Sequence, residues 1–524
     1  MRHIVNNLIS RLLVFISIFI FSIDLYAVDE EIQKDTFYVD KIEVKGILLA
    51  ENNEMISKIV LAYEKKNLTF TELKDIRSEV DDFYKAKGDL FVKVIIPEQD
   101  IAQGVFTLRV VKAKINKVTV VGNQYYSSKF IKNNFSLKEG DYLDYHKMIK
   151  SLTLLNEFSD LKVKASPKKG KEFGTTDIQL QVEDENPFHL SIVLDNLGSK
   201  DTAKNRVSTS LFYGNLLLDA DEINLNYTLG FSNNLALEDT KLLQTGYGFV
   251  VGNYHTKMNV AALFANYIAL GDFSVLNLEG DTKIYTLSIT QPLSRSTKNQ
   301  IDISLDYENK IIKNYILNAL SSEDKLNEFT LSTTWRYTDI YNSLSSKVGL
   351  SYGGSADTAV SARANQDKSY SRLNFEEFYS RYINDTNNFL FSIKGQYSSN
   401  LLPIVDMYSI GGMDTIRGYE PSQQIGDSGF VSSVAWSYHP KIDYAWLKDA
   451  IEVGAFFDYG EVYVNSPVAG QESSASLMGT GVSFKANIKE SFFANLVVGI
   501  PLNSSVEIKD KTTKIYFVLG AKLW

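Results

Sequence analysis

The stretch IGGMDTIRGYE, Ile410–Glu420, read together with EVGAFFDYG, Glu452–Gly460, decides the fold of this chain. In the first, Gly411, Gly412 and Gly418 open turn conformations closed to other residues. Arg417 stands between an isoleucine and a glycine, and a guanidinium so placed needs an acid partner. In the second, strand alternation puts Glu452, Gly454, Phe456, Asp458 and Gly460 on one face and Val453, Ala455, Phe457 and Tyr459 on the other. Asp458 is therefore expected on the polar side of a strand, where Arg417 can meet it in a charge-assisted, bidentate pair. The plain alternative is a Gly-rich hairpin with a solvated arginine.

The string GGxxxxRGY, followed further along by F-x-D-x-G on a strand, resembles the signature pair of outer-membrane transporters built from periplasmic POTRA domains and a barrel of about 16 antiparallel strands. That resemblance implies a long extracellular loop, here residues 403–428, folded back into the barrel. It also implies that Arg417 at the loop tip pairs with Asp458 on the inner wall. Gly411, Gly412, Gly418, Tyr419 and Gly460 complete this lumenal loop lock.

Length and composition bound the rest. A chain of 524 residues predicts two to four units. Cysteine is absent, which excludes disulfide frameworks, thiolate metal sites and thiol nucleophiles and suits passage through an oxidising periplasm. A formal charge of -9, with no basic stripe, argues against nucleic acid as partner. Arg2 and Arg11 precede the apolar run Leu12–Ile23, and Ala27 offers a small residue for cleavage, so residues 1–27 read as a signal peptide. The run is too short to span a bilayer, and the alternative is a retained anchor or a buried helix. Mean hydropathy is -0.13 and no later run of 18 apolar residues occurs, which argues against a helical membrane protein. Barrel strands alternate and leave little trace in such averages.

After a short linker, 28–37, the order β-α-α-β-β appears over 38–112 and again over 113–185, a repeat of roughly 75 residues. The repeat resembles a pair of α+β POTRA domains. Within it, IPEQDIAQGVFTLRVVKAKINKVTVVGN, Ile96–Asn123, is similar to the junction of the two domains in two-partner secretion transporters. Pro97, Gln99 and Gly104 take the places of a cargo-docking segment there, and they also suit a turn before an edge strand. An edge left open in such a sheet can accept an extended peptide by strand addition.

Beyond Pro187 helical stripes give way to alternation. Ile223, Leu225, Tyr227 and Leu229 alternate with Asn224, Asn226 and Thr228, and Ile301, Ile303, Leu305 and Tyr307 alternate with Asp302, Ser304 and Asp306. A soluble sandwich buries such an apolar face, whereas a membrane barrel turns it to lipid. About 16 segments of roughly 21 residues fit between 186 and 524, as a transmembrane β-barrel requires. Thirty tyrosines and thirty phenylalanines suit interfacial girdles, or cross-strand pairs in a β-rich surface protein. Asp195, Asn196 and Gly198, in D-N-x-G, resemble the start of the barrel in two-partner secretion transporters. The chain ends on an aromatic, Trp524, which resembles the signal read by the barrel assembly machinery, although Lys522 stands where an apolar residue is expected. Relatives of this type often carry a plug helix before the first POTRA domain. The linker is too short for one, so any plug is expected to be the inward loop.

Catalytic strings are decoys. GDSG, Gly426–Gly429, copies the surroundings of a protease nucleophile, yet His146, His189, His255 and His439 are scattered and Ser428 suits a turn after the loop. No P-loop string and no metal-ligand spacing occurs, so neither cofactor nor metal is expected, and the chain is not expected to be an enzyme. The resemblance implies export of a large unfolded partner protein from periplasm to cell surface, in two-partner secretion of the haemolysin/haemagglutinin type. Its partners would be that cargo in extended form, outer-membrane lipid and the assembly machinery, with no nucleic acid. Two other readings stay open: an insertase for outer-membrane barrels, and a passive porin.

Overall fold

The computed structural model describes residues 35–46, 53–101, 103–231, 240–252, 255–356, 360–442, 444, 447, 450–489, 491–503 and 512–523. The expected signal peptide, most of the expected linker and Trp524 lie outside the described residues. The chain divides into two compact units, Met1–Lys112 and Ala113–Trp524.

In the first unit the string Thr69-Phe-Thr-Glu72 is a capping box. The Thr69 N–H donates to Glu72 Oε2 at 2.7 Å and the Glu72 N–H to Thr69 Oγ1 at 3.3 Å. It starts the longer of two helices, α1 (Asn53–Leu61) and α2 (Phe70–Ala86). Leu73, Ile76, Val80 and Tyr84 recur at helical spacing and are buried against a sheet. The strands of this unit are β1 (Thr36–Val39), β2 (Lys41–Gly46), β3 (Lys66–Thr69), β4 (Val92–Ile95) and β5 (Val105–Lys112). The sheet runs β2-β5-β4, with β2 parallel and β4 antiparallel to β5. Burial pushes the Asp81 carboxyl up, but Lys85, the Val94 N–H and Lys93 outweigh it, and its pKa falls below the usual value.

Two details differ from the sequence reading. The first strand of the expected β-α-α-β-β order is split at Asp40, because the N–H groups of Asp40 and Lys41 both donate to Gly104 O, at 2.7 and 3.1 Å. Its first half, β1, starts at Thr36, inside the expected linker, and pairs with β3 apart from the main sheet.

The second unit opens with a second α+β layer. It holds β6 (Lys114–Val121), α3 (Ser128–Asn134), α4 (Tyr145–Leu155), β7 (Leu161–Lys169) and β8 (Thr175–Asp184), in the sheet order β6-β8-β7. Ser127 and Asp144 cap the two helices. Ile131, Leu155, Ile178 and Leu180 are buried between helices and sheet.

The rest is a barrel: β9 (Phe188–Asp195), β10 (Asn205–Gly214), β11 (Glu222–Phe231), β12 (Thr240–Val251), β13 (Thr256–Ile268), β14 (Glu279–Arg295), β15 (Asn299–Ile316), β16 (Ala319–Thr338), β17 (Asn342–Ser355), β18 (Ser369–Asn384), β19 (Asn387–Tyr397), then β20 (Tyr408–Ile410) and β21 (Gln424–Gly426) in the inward loop, then β22 (Ser428–Tyr438), β23 (Ile451–Tyr463), β24 (Ser474–Ile488), β25 (Phe492–Pro501) and β26 (Lys514–Lys522). Leaving out β20 and β21, sixteen described strands pair antiparallel in chain order and close, β26 meeting β9. Leu305, Phe329 and Leu350 on the outer face are 45%, 53% and 60% exposed, an apolar band that only lipid covers. Trp335 and Trp436 stand near one rim and donate their indole N–H groups to Asn299 and Asn387, as an interfacial girdle does. The inner positions of β15, Asp302, Ser304, Asp306 and Lys310, are polar.

The seam is short: five residue pairs, Val518↔Asp195 through Lys522↔Ser191. Asn196 extends it with its side-chain amide, which donates to Ile515 O at 2.8 Å and accepts from the Phe517 N–H at 2.8 Å. Asp195 accepts from the Leu197 N–H and from Arg206 Nε. A Cβ on Gly198 would lie 1.8 Å from Ala203 O.

Candidate functional site

Residues 398–427 leave β19, enter the lumen and return to β22, with β20 and β21 forming a small hairpin on the way. Gly411, Gly412 and Gly418 hold φ of 112°, 94° and 111°, which only glycine adopts without strain. At the tip Arg417 lies on Asp458. Nε is 2.7 Å from Oδ2 and Nη2 is 2.6 Å from Oδ1, a fork on a carboxylate. Asp458 is 0% exposed and also accepts from the Arg417 N–H at 3.1 Å and from Ser433 Oγ at 2.7 Å. The guanidinium stacks on the Phe456 ring, 3.4 Å from its centroid.

The tip is fitted at backbone level. A Cβ on Gly479 would lie 2.1 Å from Arg417 O, and one on Gly499 2.5 Å from Gly418 N, so two strand glycines make room for the turn. Gly460 faces Ile416 in the same way. Tyr419 donates to Met478 O, and the Gly418 N–H donates to Tyr516 Oη at 2.9 Å. Ile410, Ile416, Tyr419, Val431, Val462 and Leu477 form a buried apolar cluster beneath. Lys514 pairs with Glu420 on the far limb. Ser433, Tyr516 and Lys514 were not singled out from the sequence, since only the register between strands brings them to the tip.

The near limb has its own charged seat. Asp406, in a 3-10 turn Ile404–Asp406, is 2.7 Å from Lys310 Nζ and 2.5 Å from Tyr370 Oη. Arg372 Nη2 is 3.3 Å from Asp406 and 2.5 Å from each oxygen of Glu328. At the root of the loop Arg363 forks onto Asp427, and Asp427 also accepts from the Leu402 N–H. Ser428 begins β22, and its hydroxyl donates to Ser398 O, tying the loop ends together.

The segment Pro97–Gly104 is not part of this site. Gln99 donates to Thr107 O at 2.8 Å and accepts from the Thr107 N–H at 2.6 Å, so its amide covers one rung of β5. Gly104 turns with φ 72° beside Asp40. The outer strands of the two α+β sheets, β2 and β4 in one and β6 and β7 in the other, carry the edges.

The model of the family described as haemolysin secretion/activation protein ShlB/FhaC/HecB matches residues 174–486. The chain belongs to that haemolysin secretion/activation family. The model of the ShlB-type POTRA domain matches residues 37–113. Among relatives of this family member, the heme/hemopexin transporter protein HuxB of Haemophilus influenzae is 22% identical over 484 residues, covering 89% of this chain and 84% of that protein. The outer membrane transporter CdiB of Dickeya dadantii is 22% identical over 411 residues, covering 76% and 72%. Among solved structures, CdiB from Escherichia coli matches with a TM-score of 0.77 at 18% identity, covering 96% of this chain and 93% of that one. BamA from Haemophilus ducreyi lacking POTRA domains 1-3 matches with 0.53 at 13%, covering 93% and 100%. At these identities the structural likeness is one of fold.

In this haemolysin secretion/activation protein the second POTRA layer is seated on one rim of its barrel, which identifies that rim as periplasmic. Glu157, just after α4, pairs with Arg295 at the end of β14 and with Lys257 on β13 at 3.4 Å. Arg295 reaches Asp302 at 2.5 Å, and Asp302 reaches Arg336 at 2.9 Å. Asp160 meets His189 at 2.9 Å, Ser127 meets Asp219, and Phe158 stacks on His255. Burial pushes the His255 imidazole below its ordinary pKa, with Glu157 pulling the other way. The sequence did not announce this joint.

Proposed function

We propose that this chain is an outer-membrane transporter that exports a large partner protein, in extended form, from the periplasm to the cell surface. The observation that carries it is a closed sixteen-strand barrel in a haemolysin secretion/activation protein, with a loop folded into its lumen and POTRA domains in the periplasm. Cargo would dock along a POTRA edge by strand addition, enter at the rim that carries the second POTRA layer, and leave past the inward loop. The Pro97–Gly104 turn would position the first sheet for that docking. Arg417 and Asp458 would hold the loop in its working position, with Gly411, Gly412, Gly418, Tyr419 and Gly460 shaping the fit. Asp195, Asn196 and Gly198 would close the barrel at its seam, and Trp524 would present the chain to the assembly machinery.

The test is deletion in the native cell, followed by comparison of secreted and outer-membrane proteins. Loss of one large surface or secreted protein, restored by the wild-type chain, is the expected result. A fall in all barrel proteins would assign an insertase. Unchanged proteins with slower solute uptake would assign a porin.

A further inference from the structure

We propose that the charged seat of Asp406 is the extracellular gate of the export path, and that it releases while the Arg417 tip stays docked. The inference rests on the transport reading above. It deepens that reading by naming which part of the loop moves and which wall of the lumen the cargo follows.

The wall comes first. A lumenal cavity of about 400 Å³ at the periplasmic rim is lined by Glu157 of the POTRA layer and by Ser288, Thr290, Ser304, Asp306 and Lys347 of the barrel. A second, of about 550 Å³, lies higher, lined by Lys347, Thr330, Ser332, Ser351 and Asn374. Lys347 belongs to both, so the two form one track along β14 to β18. Ser288, Thr290, Ser304, Thr330, Ser332, Ser351 and Asn374 offer hydrogen bonds to an extended backbone along this track, between charged side chains such as Asp306 and Lys347 and the rings of Phe249 and Phe375. The loop itself lines the upper cavity: Met407, Tyr408 and Ser409 follow the Asp406 seat and stand beside its Glu328 and Arg372, and Asp414 and Thr415 come from the tip side.

The two anchors of the loop differ in what they leave behind. If the tip withdrew, Asp458 would stay buried without a cation, holding one hydrogen bond from Ser433, and Gly479 and Gly499 would face empty space. If Asp406 withdrew, the wall would still balance itself. Lys310 keeps Glu308 at 3.0 Å and Glu328 at 3.4 Å, and Arg372 keeps both oxygens of Glu328. Two cations and two carboxylates remain, and Asp406 passes to outer water. Neighbouring Ile404 and Val405 are 46% and 42% exposed, so apolar packing holds the turn only at its start, where Leu402 and Pro403 are buried. The remaining ties are single hydrogen bonds, from the Tyr370 hydroxyl to the Asp406 carboxylate and from Gln396 and Arg372 to Asp406 O, and water entering the opened seat can replace them. The root is pinned by Arg363, Asp427 and Leu402, which makes it a pivot for residues 403–407.

The chain has no cysteine, so an introduced pair is unique. In K310C/D406C a short bis-methanethiosulfonate cross-linker, which joins both thiols through disulfides, should stop export, and reduction of those disulfides should restore it. In M413C/A435C, at the tip side where both residues pack on the Phe456 cluster, the same reagent should leave export unchanged. In planar bilayers the purified full chain carrying Asp406→Asn should show at least about tenfold higher open occupancy than wild type, since loss of a buried ion partner weakens the docked state by more than one decade. Export that survives the first tether, or is stopped by both, overturns the proposal, as does unchanged conductance in D406N. The conductance needs no cargo. A gate that opens in D406N in a chain that exports nothing would refute the transport reading and leave the gate standing.

Discussion

Replacing Arg417 by alanine is the sharpest test of the loop lock. Asp458 accepts four hydrogen bonds, and the variant removes the two from the guanidinium together with its charge. Breaking one side of a buried ion pair costs about 3–5 kcal/mol, because the other charge is stranded. Loss of the stacking on Phe456 adds about 0.5–2 kcal/mol, so the stranded carboxylate dominates. At 1.4 kcal/mol per decade, the pair alone is worth roughly two to three and a half powers of ten in occupancy of the docked tip. Tyr419 and the glycine contacts persist, so the tip opens locally while the barrel stays closed. Hydrogen exchange of peptides spanning 410–420, measured on the full chain in detergent, should lose protection by at least about a hundredfold. Export should fall in parallel with unchanged barrel insertion. Adding Asp458→Asn neutralises the stranded charge and should recover part of the protection. Unchanged exchange in R417A, or a double variant worse than the single one, would refute the reasoning.

Three further outcomes follow from the same geometry. Gly479→Ala drives a methyl into Arg417 O and should mimic R417A in export and exchange, while the barrel still resists unfolding in a heat-shift gel. Arg295→Ala removes the buried cation shared by Glu157 and Asp302, leaving them only Lys257 and Arg336, and should lower the melting transition that includes the second POTRA layer by more than Glu157→Ala, which leaves Arg295 its Asp302 partner; equal melting of all three chains contradicts the joint. The His255 pKa is depressed in the folded chain, so its contribution to stability is complete above the ordinary histidine value of about 6.5 and is lost as pH falls through the lower folded value. Proteolysis at the joint should therefore quicken below about pH 6.5, and His255→Gln should flatten that profile; Glu157 opposes the shift, and Lys257 and Arg295 reinforce it.

The barrel and the POTRA layers were legible because each rests on a local period. Alternation marks a membrane strand within its own ten or so residues, and the Thr69 to Glu72 box with Leu73, Ile76 and Val80 marks a helix within its own. Arg417 and Asp458 were nameable from two short strings, and the structure puts them in contact; what that contact does for export is proposed. The Asp406 seat was not legible. Parity along β15 places Lys310 on the lumenal face with Asp302, Ser304 and Asp306, but its height relative to Glu328, Arg372 and Asp406 depends on the stagger between four separate stretches. Glu157 and Arg295 lie still further apart in sequence, and no string announces that a helix end will meet a strand end. The broken first strand is a third case, since Gly104 O draws in two successive N–H groups from a distant segment.

The seam between β9 and β26 carries a consequence for how the cylinder is made. Away from it, β14 to β16 share long ladders, whereas the first and last barrel strands are stapled by five pairs, the Asn196 side-chain amide and the N–H groups of Asn196 and Leu523. Every other hairpin can zip as soon as both its staves exist, but this join waits until the last stave arrives. It is the final fastening in assembly and the first to part under load, and Asn196→Ala should leave each hairpin intact while the cask leaks at its hoop.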